Sequence, residues 1–180
     1  MQKQHYEYYT PIIEWAEQKG ILETGRLTKQ LLKSSEECLE LQTAIESYEN
    51  GNKEAIEEIK DAIGDIYVTL AISTRMRTKN PYIIFKLIKL TDHKLPMAVD
   101  YKYYIVELKR LDLSLYDTFI SESITNLDLK VAKYVEFLDF IAKDYNLTLC
   151  ECIEAAYNVI SKRTGKMIDK IFFIRIQTFP

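Results

Sequence analysis

Five carboxylates are the residues most able to do chemistry together. Glu36, Glu37 and Glu40 lie in LLKSSEECLELQTAI, and Asp61 and Asp65 come later in EEIKDAIGDIYVTL. The turn signal Glu49-Asn50-Gly51-Asn52 stands between the two stretches, and each has helical apolar spacing. On a helix, Glu37 and Glu40 are about 60° apart and Glu36 and Glu40 about 40° apart, so all three share one stripe. Asp61 and Asp65, four apart, share another. Like charges so placed cost roughly 0.2–0.5 kcal/mol per pair in water and more where water is excluded. An antiparallel hairpin would bring the two stripes together around one or two cations. Hard divalent ions such as Mg²⁺ take oxygen ligands and keep positions open for phosphate oxygens, so metal-dependent phosphate chemistry is the expectation.

A Glu-rich helix face by itself is more often just solvated. The second cluster argues against that here. Asp is a poor helix former, and Asp61 and Asp65 sit among Ile59, Ala62, Ile63, Gly64 and Ile66, where a half-buried carboxylate needs a partner. Glu54, Glu57 and Glu58 fall in a helix's first turns, where the dipole favours them, and are left out. A di-iron bundle needs Glu-x-x-His, whereas His5 and His93 are the only histidines and neither follows a Glu by three. Hydrolase triads fail for the same lack, and His93 reads as a loop residue. No P-loop or Gly-rich dinucleotide fingerprint is present. Cys38, Cys150 and Cys152 read as reduced thiols without a disulfide framework.

At 180 residues the chain suits one domain carrying an insertion or small appendage. Its net charge of −3 gives no basic field to attract a nucleic-acid polymer. No stretch approaches a membrane span, and MQKQHYEYYT lacks a secretory apolar core, so cytoplasm is expected.

The elements that must position the carboxylates are helices. One is expected near Tyr9–Lys19, closed by Gly20, then the connector ILETGRL. A second starts with Thr28 as N-cap and runs to Glu49. A third runs from about Lys53 to Arg77, with its second half apolar on more than one side, which implies burial between helices or at a subunit interface. Gly64 within it implies close approach of another backbone or of a ligand. PYIIFKLIKL reads as a short helix or a strand, and Pro96 interrupts the chain before the next helix. Further helices are expected over AVDYKYYIVELKRLDL, from about Ser114 to Ile124, from about Asp128 to Tyr145, and from Cys150 to Lys162 with Thr148 as N-cap. The tail IFFIRIQTF reads as a strand or extended segment. The fold class is all-α.

The run IIEWAEQKGI, TKQLLKSSEECLELQTAI and EIKDAIGDIYVTL, with the closing ECIEAAYNVISKRTGKMID, resembles the MazG-like, phage-type members of the all-α nucleoside triphosphate pyrophosphohydrolase superfamily. These segments cover somewhat more than half the chain. The resemblance implies a single helical bundle over 1–180, with a core near 8–77 and 131–168 and inserted helices near 78–130. It implies hydrolysis of a nucleoside or deoxynucleoside triphosphate to the monophosphate and pyrophosphate. It also implies a homodimer or homotetramer, in a bacterial or phage-infected cytoplasm. By position, Glu37 and Glu40 match the family's first acidic pair, Glu36 the glutamate before it, and Asp65 the aspartate closing the second motif. Ala62 departs from the acidic residue of many relatives, and Asp61 resembles the phage-type variant. The tail also departs, because Asp169-Lys170-Ile171 lacks a glycine found in relatives. Its apolar residues Ile171 to Ile174 and Phe179 would pack on the inserted helices or another subunit.

On this reading Glu37, Glu40, Asp61 and Asp65 hold Mg²⁺, with Mn²⁺ a possible substitute, and Glu36 or Asp61 accepts a proton from the attacking water. Lys33, Asn158, Lys162, Arg163 and Lys166 are candidates for the polyphosphate. Their structural alternatives are helix C-capping for Lys162, Arg163 and Lys166 and an i,i+4 pair with Glu37 for Lys33. Trp15 and Gln30 would face the base, against plain core packing and an ordinary surface role. Two other classes stay open: a catalytically weak nucleotide-binding or regulatory protein on this scaffold, and a helical interaction protein whose acidic faces are merely solvated.

Overall fold

The computed structural model describes residues 3–90, 100–121, 126–168 and 171–173, with side chains described through Gly165. His93, Pro96, the 169–170 link and the tail beyond Phe173 lie outside them. After a 3-10 turn (His5–Tyr8) come α1 (Tyr9–Gln18), α2 (Ile21–Thr24), α3 (Leu27–Glu49), α4 (Ile56–Arg77), α5 (Tyr82–Leu87), α6 (Tyr101–Ile120), α7 (Leu127–Asp144) and α8 (Leu149–Ser161). Two three-residue strands, β1 (Lys166–Ile168) and β2 (Ile171–Phe173), pair antiparallel with Met167 opposite Phe172. The chain is therefore all-α apart from that terminal hairpin, and Ile171–Phe173 is the strand expected of the tail.

α4 is the central element. Its residues from Ile66 to Thr74 are all buried, because α3 and α8 pack along it and α1 and α7 cover the remainder. Its apolar second half is thus covered within the chain. Gly64 explains how α8 comes so close: a Cβ built there would run into the Cys152 carbonyl oxygen and the Ala156 Cβ. The close approach expected at Gly64 is to the α8 backbone, and nothing of the candidate site enters it.

α3 and α4 form the antiparallel hairpin. Gly51, at φ +105° in open space, makes the reversal, and Asn52 N–H bonds the Ser47 carbonyl oxygen at 3.1 Å. α3 begins at Leu27 after an extended Arg26, whose carbonyl accepts from Lys29 N–H and Gln30 N–H. Thr28 is therefore inside the first turn and is not the N-cap. Thr148 does cap α8, its hydroxyl accepting from Glu151 N–H at 3.2 Å.

Residues 101–120 form one helix where the sequence suggested two. Tyr104, Leu108, Leu115 and Phe119 bury along a single face of α6, and the Ser35 hydroxyl donates to Asp112 at 2.7 Å, which ties α6 to α3. At the other end of the bundle an aromatic knot fixes the N-terminus. The Tyr67 hydroxyl donates to the His5 carbonyl at 2.9 Å, His5 Nε2 bonds the Phe85 carbonyl at 3.1 Å, and Phe85 stacks on Tyr9. Among the described residues no helix is long and apolar enough to cross a membrane.

Candidate functional site

A cleft of about 310 Å³ opens where α1, α3, α4 and the end of α8 meet. Trp15 comes from α1 and Ile21 from α2, with Gln30, Lys33, Glu37 and Glu40 from α3. Asp65, Val68, Thr69 and Ile72 come from α4, and Ile160 and Arg163 from the α8 end. The positions follow from helical spacing. Lys33, Glu37 and Glu40 advance by four and three along α3, and Asp65, Val68, Thr69 and Ile72 repeat the same steps along α4. One wall is therefore charged and the other apolar.

Glu37 is the buried member of the acidic set, only 2% exposed. Lys33 Nζ lies 2.6 Å from its Oε1 and 3.5 Å from Glu36 Oε2. Both members of the pair are shifted upward. The hydrogen bond to Glu37 holds the Lys33 ammonium above its ordinary range, while burial raises the Glu37 carboxyl more than Lys33 lowers it, with Glu40 adding to the rise. We take burial to dominate at Glu37, since a side chain so deeply enclosed has lost its water and gained one cation. Asp65, half-buried on α4, is pushed up to about 6, first by burial, then by the negative charges of Glu37 and Asp61, against the opposing pull of Arg163 and Lys33. Carboxylates from the two helices thus feel each other across the cleft.

Seven of the residues singled out from sequence line this one cleft: Trp15, Gln30, Lys33, Glu37, Glu40, Asp65 and Arg163. Trp15 is half-buried, and its indole N–H has no hydrogen-bond partner among the described residues. The others fall elsewhere. Glu36 is exposed on the outer side of α3. Asp61 opens on a second hollow of about 380 Å³, lined by Leu39, Glu40, Thr43, Ala44, Glu58 and Ala62. Asn158 and Lys162 are exposed, and Lys162 is the C-cap residue of α8. The side chain of Lys166 is outside the described part.

The sequence reading missed the apolar wall. Ile21, Val68, Thr69, Ile72 and Ile160 look like ordinary core residues, and only their spacing relative to Asp65 and Arg163 carries a hint of the cleft. Among the described residues, no three histidine, cysteine or carboxylate side chains stand close enough together to hold a metal ion as they are. In chemistry the donor set still suits a hard divalent cation. Glu37, Glu40 and Asp65 offer only carboxylate oxygens, and the Asp65 carboxyl is raised by burial and then by the neighbouring carboxylates.

Compared with family models, with curated proteins and with solved structures, the chain finds no match.

Proposed function

We propose that the cleft binds a nucleoside or deoxynucleoside triphosphate and hydrolyses it to the monophosphate and pyrophosphate, with Glu37, Glu40 and Asp65 holding Mg²⁺ or Mn²⁺. One observation carries this reading: a buried carboxylate of α3 and a half-buried one of α4 open on the same space as two cations, an aromatic ring and an apolar wall. Such a mixture suits a ligand that is polyanionic at one end and flat and apolar at the other. The bound cation would neutralise charge developing on phosphate oxygens and lower the pKa of a water. Lys33 and Arg163 hold the polyphosphate, Trp15 offers its face to the base and Gln30 an amide to the base edge. No proton-acceptor role is assigned to Glu36 or Asp61, since neither lines the cleft. Assembly as a homodimer or homotetramer rests on the family resemblance alone, because α4 is covered within the chain.

A second reading, a nucleotide-binding or regulatory protein that turns over slowly, draws on the absence of a ready three-carboxylate group among the described residues and on Ala62, where many members of the family that the sequence resembles carry an acid. One experiment separates the two. Purified protein is incubated with a panel of triphosphates with and without Mg²⁺, and the products are identified. Pyrophosphate release only with Mg²⁺ is expected. Stabilisation by nucleotide without products would favour the second reading, and orthophosphate release would refute the first.

A further inference from the structure

We infer that Lys33 is a resident counter-ion: its ammonium neutralises Glu37 while the cleft holds no cation, and an incoming divalent ion displaces it, freeing it for the polyphosphate. The inference rests on the reading of the cleft given above and adds an order of events to it.

Four observations support it. Glu37 is 2% exposed, and a carboxylate so enclosed must be paired. Its partner is not enclosed: the Lys33 side chain is 48% exposed, and its flexible four-carbon stem can leave without disturbing packing. The pair also runs in the less favourable direction for helix stability, with Lys N-terminal to Glu, so support of α3 does not explain it. Charge is the fourth. The cleft sets Glu37, Glu40 and Asp65 against Lys33 and Arg163, and among the described residues neither Glu40 nor Asp65 has an ion pair. Exchange of Lys33 for a divalent ion puts two positive charges where one stood beside the carboxylates and leaves the ammonium to face the substrate side.

The test uses the full chain without nucleotide. Mn²⁺ binding is measured by titration calorimetry on the wild type, Lys33→Met and Lys33→Arg. Removal of the competitor should tighten Mn²⁺ binding about tenfold in Lys33→Met while lowering its cation-free melting temperature, and Lys33→Arg should bind no tighter than wild type. In the wild type, the Lys33 ammonium NMR signal, protected by Glu37, should vanish into exchange when Mg²⁺ is added. This second measurement decides the matter if Lys33→Met does not fold. Unchanged or weaker Mn²⁺ binding in Lys33→Met, no Mn²⁺ binding to any form, or a Lys33 signal that persists in saturating Mg²⁺ would overturn the inference. Failure of pyrophosphate release with the exchange intact would instead remove only the hydrolase reading.

Discussion

Two acidic hollows lie side by side on the α3–α4 hairpin and share Glu40, yet they differ in burial and in the cations around their acids. The outer one, with Glu58, Asp61 and Thr43, is lined by exposed acids and small side chains and faces no described cation from a third element. The inner one encloses Glu37 and half of Asp65 and sets Lys33, Arg163 and Trp15 around them. Acidity alone therefore does not mark a site on this molecule. Burial does, together with opposite charges arriving from other helices, because water no longer screens the interactions there.

That contrast can be broken most directly by neutralising one acid at a time. Glu40→Gln or Asp65→Asn should lower the rate of pyrophosphate release by about a hundredfold or more, roughly 3 kcal/mol, with the circular dichroism spectrum unchanged. Asp61→Asn and Glu36→Gln should lower it less than about threefold. Equal losses from Asp65→Asn on the inner hollow and Asp61→Asn on the outer one would erase the distinction between the hollows.

Gly64→Ala tests whether the inner hollow depends on the α4–α8 contact. The methyl group meets the Cys152 carbonyl, so overpacking should exceed the roughly 1 kcal/mol of helix propensity that alanine gains and leave a net loss of about 2 kcal/mol in urea unfolding. Arg163, carried at the end of α8, should then hold the substrate less well, which a raised KM would report.

Asp65 contributes to the pH dependence of stability together with Glu37 and Asp112, whose carboxyls burial also raises. With its carboxyl pushed up to about 6, the folded protein keeps a proton that the unfolded chain has released, across the window from the ordinary carboxylate value of about 4 up to about 6. Cation-free stability should therefore fall as pH rises through that window and recover as pH drops below it. Asp65→Asn should reduce the slope, leaving the parts due to Glu37 and Asp112. It should also stabilise the cation-free protein at pH 7 by on the order of 1–2 kcal/mol, after allowing for solvent around a half-buried group. Urea titrations at several pH values check both. A smaller effect than at Glu40 or Asp65 is expected at Trp15: Trp15→Ala should raise KM about fivefold to tenfold with little change in kcat.

The parts legible in the sequence were those set by local rules. Thr148 reads as a cap because a hydroxyl there serves the Glu151 N–H, and Glu37, Glu40 and Asp65 read as a group because helical spacing and one turn bring them together. What stayed hidden depends on contacts across the chain. Asp112 and Ser114 look like a helix break, yet α6 runs through them because Ser35 binds Asp112 and the Tyr104–Phe119 face is buried. Asp61 and Asp65 share a helix face, but the packing of α3 and α8 on α4 separates them into different hollows. His5 reaches Phe85 across eighty positions, which no local pattern announces.

The reversal at Gly51 offers a way into the molecule's assembly. The nearest side chains leave it free, so new chain ends placed there would sever the covalent link between the helix bearing Glu37 and the helix bearing Asp65 while leaving their packing surfaces whole. A circular permutant opened at that point would show whether the two acid-bearing helices still find each other without the turn that joins them.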